Sequence, residues 1–365
     1  VLVLPPGTIS RRADVRGCRG GVEPLSELRS IETVVRGGVS VGVAFMPSPR
    51  EIRYMKVIVA GGTGFVGRHV CRTLADRGHD VTALARNPGD ADLPDTVETA
   101  MGDVTAYDSF ESHFEGMDAA VNMVALSPLF KPPRGLSHDL VHTQGTANVV
   151  EACETHGVDH LVQQSALGAD PDGLTSYIRS KGDAEAIVRD SDVEWTIFRP
   201  SVIFGEGGEF VGFTKQLSTP VVAPLPAGGT NEFQPIWIED FAPLVAEAVE
   251  DDAHRGEVYE IGGPEVLTMR AVTELAWAAE GKHPKMVTLP MWFMKSGLTL
   301  AGPVPFFPFG PEQAKALKIQ NTVVKNDVTA FGVDPEDFRT LADYLGVADG
   351  DGGAAASRTD PASAD

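Results

Sequence analysis

The run MKVIVAGGTGFVGRHV, residues 55 to 70, constrains this chain more than any other segment. VIVA (57–60) has the β-branched, apolar character of a buried strand. Glycines at 61, 64 and 67 follow it, and Val66, Val70 and Leu74 then fall on one face of a helix. Strand, GxxGxxG turn and helix bring backbone N–H groups and the positive end of a helix towards one anion. The turn residues Gly61, Thr63, Gly64, Phe65, Val66, Gly67 and Arg68 are therefore expected to hold a dinucleotide pyrophosphate.

The end of the second strand selects the dinucleotide. An acidic side chain there would bond a ribose 2′-hydroxyl, whereas arginine invites a 2′-phosphate. Arg86 stands at this place, in ALARNP, with Arg68 just past the last glycine, so NADP(H) is favoured over NAD(H). Asp103, followed by Val104 in GDV, has the position to bond the adenine amino group or to cap its own turn.

The strand and helix patterns then alternate. VTALAR (81–86), the run ending at GDV (102–104) and AAVNMVAL (119–126) read as extended, and a helix through TANVVEAC (146–153) precedes the strand HLVQQS (160–165). A helix from about Tyr177 to Arg189 precedes WTIFRP (195–200). This alternation predicts an α/β, Rossmann-type doubly wound parallel sheet. Residues 55–200 form its NAD(P)-binding core, completed by strands from 234–263, where QPIWIEDFA (234–242) and EVYEIGG (257–263) read as extended. Residues 201–233 and 264–347 make a smaller interleaved substrate or partner region. Residues 1–54 hold eight arginines and no lysine, and read as a disordered leader or as sequence upstream of a start expected at Met55. Residues 348–365 read as a disordered, solvated acidic tail.

Charge excludes one class of partner. Acidic residues outnumber basic ones 51 to 30, a net charge of -21 that repels phosphate backbones, so no nucleic acid is expected. Only ten of the basic residues are lysines, a balance that suits a protein from concentrated salt, where screening relieves self-repulsion. Cys18, Cys71 and Cys153 are too few and too scattered for a disulfide framework, which fits a reducing cytoplasm. The histidines form no HExxH pair, and no metal site is expected.

SYIRSKGDAEA places Tyr177 and Lys181 four residues apart on one helical face. An ammonium beside a phenol is expected to lower its pKa, so that Tyr177 exchanges a proton with a substrate oxygen while hydride moves to or from a nicotinamide. With the glycine turn before it and a strand ending at Ser165, this pair carries a resemblance. Over residues 55 to about 345 the chain resembles the extended and atypical short-chain dehydrogenase/reductases, the NAD-dependent epimerase/dehydratase-like proteins. It is similar in particular to the branch containing the NADPH-carrying alpha subcomplex subunit nine of respiratory complex I. The residues concerned are GGTGFVGRHV, HTQGTANVVEA, QQSALGAD, SYIRSKGDAEA, WTIFRPSVIFG and FQPIWIEDFA, with the late EQAKALKIQNTVV and FGVDPEDF.

The resemblance implies that Pro200 and Val202 pass beside the nicotinamide, that Asn122 ends the strand lining it, and that Lys181 holds the ribose hydroxyls. It also exposes a departure. Ala166 stands where catalytically typical members have Ser or Thr, with Ser165 one residue earlier, and consecutive strand residues point to opposite sides.

Three readings stay open. The first is a redox-linked accessory protein with a respiratory-complex or membrane-peripheral partner, at the inner face of the membrane. The second is an active NADP-dependent reductase of an apolar small molecule such as a quinone or isoprenoid. The third, a nucleotide-sugar epimerase or dehydratase, is disfavoured because Lys215 is the only lysine or arginine from residue 201 to 254. The apolar run 289–310 reads either as a lid or partner patch, or as packing within its own domain; its prolines and Lys295 argue against a spanning helix.

Overall fold

A computed structural model describes residues 54–289, 315 and 321–347. The expectations on the leader up to residue 53, on Cys18, on residues 290–310 and on the tail fall outside these described residues.

The centre of the protein is a seven-stranded sheet of β1 (Lys56–Ala60), β2 (Asp80–Ala85), β3 (Val97–Met101), β4 (Ala119–Asn122), β5 (His160–Gln164), β6 (Glu194–Pro200) and β11 (Glu257–Ile261). Its order is β11-β6-β5-β4-β1-β2-β3, with every neighbouring pair parallel. The chain winds outward from β1 to β3, crosses to β4 and winds outward the other way. The crossing opens a crevice past the ends of β1 and β4, where Ala60 pairs with Asn122.

Both faces of this sheet are covered, which is why its central strands are continuous apolar runs instead of alternating ones. Val57, Val59, Val81 and Val121 pack on one side with Val70 and Leu74 of α1 (Phe65–Asp76) and Phe241 and Val245 of α5 (Ile238–Glu250). Ile58, Leu84, Ala120, Leu161 and Ile197 pack on the other with Val149 and Cys153 of α2 (Gly145–His156) and Val188 of α3 (Ser176–Arg189). Each fully buried Val, Leu or Ile contributes roughly 1.5–3 kcal/mol over an exposed one, so these two layers supply the stability that holds the crevice open.

Beyond the sheet lie α4 (Phe210–Gln216), α6 (Met269–Ala278), α7 (Leu341–Leu345) and three short strand pairs. The parallel pairs are β7 (Ile203–Phe204) with β10 (Ile236–Trp237), and β8 (Val222–Pro226) with β13 (Lys285–Leu289). β9 (Glu232–Phe233) pairs antiparallel with β12 (Leu267–Thr268). Of the segment 234–263, only β11 joins the large sheet. QPIWIEDFA gives just the two residues of β10 before α5 begins, because Ile238, Phe241, Val245 and Val249 have helical spacing and bury against the sheet. AAVNMVAL likewise stops being a strand at Asn122, and residues 123–126 become a loop along the crevice. Among the described residues, no helix is long and apolar enough to cross a membrane.

Candidate functional site

The glycine turn is built by close approach. Gly61 has φ +79°, and its N–H donates to the Leu84 carbonyl at 2.9 Å, tying the end of β1 to β2. A Cβ at Gly67 would lie 2.1 Å from the Gly61 carbonyl oxygen, so only glycine lets α1 start this close to the strand. Gly64 caps α1 without a side-chain hydrogen bond, and the first N–H groups of the helix are thus left for an anion.

Two cavities flank the turn. The smaller, about 200 Å³, is walled by Gly61, Thr63, Gly64, Arg86, Asp103 and Val104 together with Ala85 and Thr105. Arg86 is exposed there and makes no ion pair among the described residues. Asp103 accepts from the Thr105 N–H at 2.9 Å and hydroxyl at 2.8 Å, so it caps its own turn while lining the cavity. The larger cavity, about 540 Å³, is walled by Phe65, Val66, Gly67, Ser165, Ala166, Tyr177, Pro200 and Val202 among others. Gly64, Met123, Ala125 and Leu126 belong to both walls.

Three expected site residues line neither cavity. The Arg68 guanidinium donates to the Glu206 carbonyl, which fastens the glycine-rich loop 205–208 over α1. The Asn122 amide is buried in the core, donating to Gln163 Oε1 at 2.9 Å and accepting from the Val124 N–H at 3.2 Å. Lys181, 1% exposed, donates from Nζ to the Gln164 carbonyl at 3.0 Å.

Thr175 starts α3 by accepting the Ile178 N–H at 3.2 Å, which sets Tyr177 in the first helical turn facing the larger cavity. Its ring meets those of His138 and His142 edge-on, at 5.5 and 5.4 Å. The expected depression of the Tyr177 pKa is not what this packing produces. Desolvation among these groups pushes the phenol up to about 12, and the Lys181 ammonium is engaged by a carbonyl. Burial also brings Lys181 down to about 8, partly offset by the Glu185 carboxylate. The phenol therefore keeps its proton across the neutral range.

Ser165 corrects a second expectation. β5 ends at Gln164, so strand alternation no longer governs the next residues, and Ser165 and Ala166 both line the larger cavity. Ser165 Oγ is buried with no hydrogen-bond partner, and so is Gln164 Oε1. Two orphaned polar atoms in one cavity wall are an expensive arrangement unless a ligand satisfies them. Aromatic and aliphatic side chains, among them Phe65, Phe210, Phe213, Phe233 and Met269, make up much of that wall, interspersed with serine and threonine hydroxyls, His138, Glu209 and Asn321, and among its described residues there is no Lys or Arg. Lys215 points elsewhere, pairing with Glu280 at 2.8 Å.

His138, His142 and Gln164 were not singled out from the sequence. The signal available was two histidines four residues apart, just ahead of the helix of HTQGTANVVEA. Elsewhere, Glu247, Asp251 and His254 bring ligand atoms within 4.8 Å of one another, but all three have partners within the protein, His254 Nδ1 pairing with the Tyr259 hydroxyl at 2.7 Å.

Residues 61–219 match a family of NAD(P)H-binding domains. The chain is 27% identical over 250 residues to the mitochondrial NADH dehydrogenase [ubiquinone] 1 alpha subcomplex subunit 9 of Arabidopsis thaliana, covering 65% of this chain and 61% of that relative's length. It is 30% identical over 230 residues to the (4-alkanoyl-5-oxo-2,5-dihydrofuran-3-yl)methyl phosphate reductase of Streptomyces griseus, covering 60% of this chain and 71% of the relative. Among solved structures, a nucleoside-diphosphate-sugar epimerase from Staphylococcus aureus superposes with a TM-score of 0.61 at 18% identity, over 80% of this chain and 99% of the other.

Proposed function

This chain belongs to the NAD(P)-binding, atypical short-chain dehydrogenase/reductases, and on that premise we propose that it is an NADP(H)-dependent reductase of an uncharged, apolar carbonyl compound. The observation that carries this reading is the make-up of the larger cavity's wall. There a buried, unpartnered Ser165 hydroxyl and the Tyr177 phenol accompany aromatic side chains, with no Lys or Arg among the described lining residues.

When bound, the reduced nicotinamide supplies hydride to the carbonyl carbon. Ser165 would donate a hydrogen bond to the carbonyl oxygen, and Tyr177, neutral with its pKa at about 12, would give that oxygen its proton as charge develops. Gly61, Gly64 and Gly67 would hold the pyrophosphate, and Arg86 the 2′-phosphate that distinguishes NADP(H) from NAD(H). A sugar nucleotide fits this cavity poorly, because its diphosphate would meet Glu209 and no cation among the described lining residues.

The test is NADPH oxidation with a panel containing a short-chain quinone, an aryl ketone and a UDP-sugar. Turnover is expected with the first two, reduced roughly 10²- to 10⁴-fold in Tyr177→Phe. Undiminished turnover in that variant would remove Tyr177 from the chemistry.

A second reading is favoured by the similarity to two mitochondrial complex I subunits. In it the protein carries NADP(H) as an accessory component at the inner face of a membrane, in a respiratory assembly. Tight NADPH binding with no turnover of any panel member, and recovery of a stable complex on native purification, would select it.

A further inference from the structure

The rings beside Tyr177 belong to a hydrogen-bonded chain that fixes a tautomer. The main-chain N–H of Leu126 donates to His142 Nε2 at 2.9 Å. An amide N–H has no acceptor role, so this nitrogen carries no proton. The proton of the neutral ring then sits on Nδ1, which donates to Ser180 Oγ at 2.9 Å. Ser180 in turn donates to the Tyr177 carbonyl at 2.9 Å. Each bond fixes the direction of the next, from Leu126 to the main chain of the acid.

A doubly protonated ring would break the first link. His142 is 1% exposed and faces Lys181 and His138, and burial with these neighbouring charges holds its pKa far below the usual imidazole range.

The two ends of the chain lie in places that matter. Leu126 belongs to the loop after β4 and to the walls of both cavities. Tyr177 stands in the first turn of α3. His142 itself sits in a π-helical stretch, Asp139–Gln144, a rare backbone form that appears mostly at functional sites.

We infer that His142 is a positioning residue: as a neutral, Nδ1-protonated ring it ties the cofactor loop at Leu126 to the main chain of Tyr177, coupling occupation of the dinucleotide channel to placement of the phenol. This rests on Tyr177 as the acid, but the coupling is readable without turnover.

Long-range ¹H–¹⁵N spectra of the intact protein should show His142 as the Nδ1–H tautomer, with no titration near the ordinary imidazole value of about 6.5. Its Nδ1 signal should shift on adding NADPH, with the same midpoint as fluorescence binding. An Nε2–H tautomer, a ring titrating in the ordinary range, or a signal blind to NADPH would overturn the assignment.

Variants supply a second reading of the same chain. His142→Phe and Ser180→Ala should each weaken NADPH binding roughly five- to hundredfold, and the double variant should be no worse than the worse single. His142→Asn keeps a donor near the Nδ1 position and should recover part of the His142→Phe loss, and Ser180→Ala should abolish that recovery. Additive losses, or no rescue, would reduce His142 to a packing residue. If the spectra and the cycle behave as expected in a protein that never oxidises NADPH, the coupling stands and only the acid role falls.

Discussion

Arg199 grips Glu185 with both arms of its fork, Nε to Oε1 at 2.8 Å and Nη2 to Oε2 at 2.7 Å. Glu185 is 1% exposed and also takes Arg189 at 2.8 Å, while Arg199 reaches Glu260 at 3.4 Å. The cluster bolts α3 to β6 and β11, one helical turn beyond Lys181. Glu185→Ala leaves the part-buried Arg199 guanidinium with only the longer Glu260 contact and is expected to cost about 3 kcal/mol in urea unfolding, at unchanged m-value. A loss within the surface-pair range of about 0–1 kcal/mol would mean that the bolt is ornamental.

Lys181 predicts a pH dependence. Its folded pKa of about 8 lies below its ordinary 10.5, so between these values the unfolded chain binds the extra proton. Stability contributed at this site therefore rises as pH climbs through that window, by about 3 kcal/mol in all, and below it the buried ammonium is a net cost. Lys181→Met should flatten the slope. Parallel stability–pH curves for the two proteins would show that the ammonium is not desolvated.

The glycine turn should tolerate substitution unequally. Gly67→Ala forces a methyl to 2.1 Å from the Gly61 carbonyl, and is expected to lower the melting temperature and to weaken NADPH binding at least tenfold. Gly212→Ala, inside α4 with open space at its Cβ, should be neutral or stabilising by up to about 1 kcal/mol. Equal effects in a thermal-shift and fluorescence comparison would refute the close-approach account of the turn.

Arg86→Asp should reverse the dinucleotide preference. Removing the cation and adding a carboxylate at the smaller cavity is expected to weaken NADPH roughly ten- to hundredfold, with NADH unchanged or improved. If NADPH and NADH were to weaken together, the 2′-phosphate would have to be read by another group.

What the sequence made legible was local. The strand, glycine turn and first helix, and the Tyr177–Lys181 spacing, are patterns within fifteen or so residues, set by backbone sterics and helical period. For Arg68 and Asn122 the sequence could not show that their side chains answer to partners far along the chain, the Glu206 carbonyl and Gln163. Ser165 turned on where β5 ends, a tertiary matter, and not on alternation. His142 draws its role from Leu126 and Ser180, sixteen positions before it and thirty-eight after. No window of sequence contains that arrangement.

Gly64, Met123, Ala125 and Leu126 are walls of both cavities, so whatever fills one space becomes part of the surface of the other. If a dinucleotide and an apolar compound fill them as proposed, each ligand forms part of the other's binding site. An apolar compound arriving first would meet an incomplete floor and would stand in the passage beside the glycine turn. On the reductase reading, an order of arrival is expected: dinucleotide first in and last out, with the second compound trapping it kinetically. Excess apolar ligand should accordingly slow dinucleotide exchange even where no hydride ever moves.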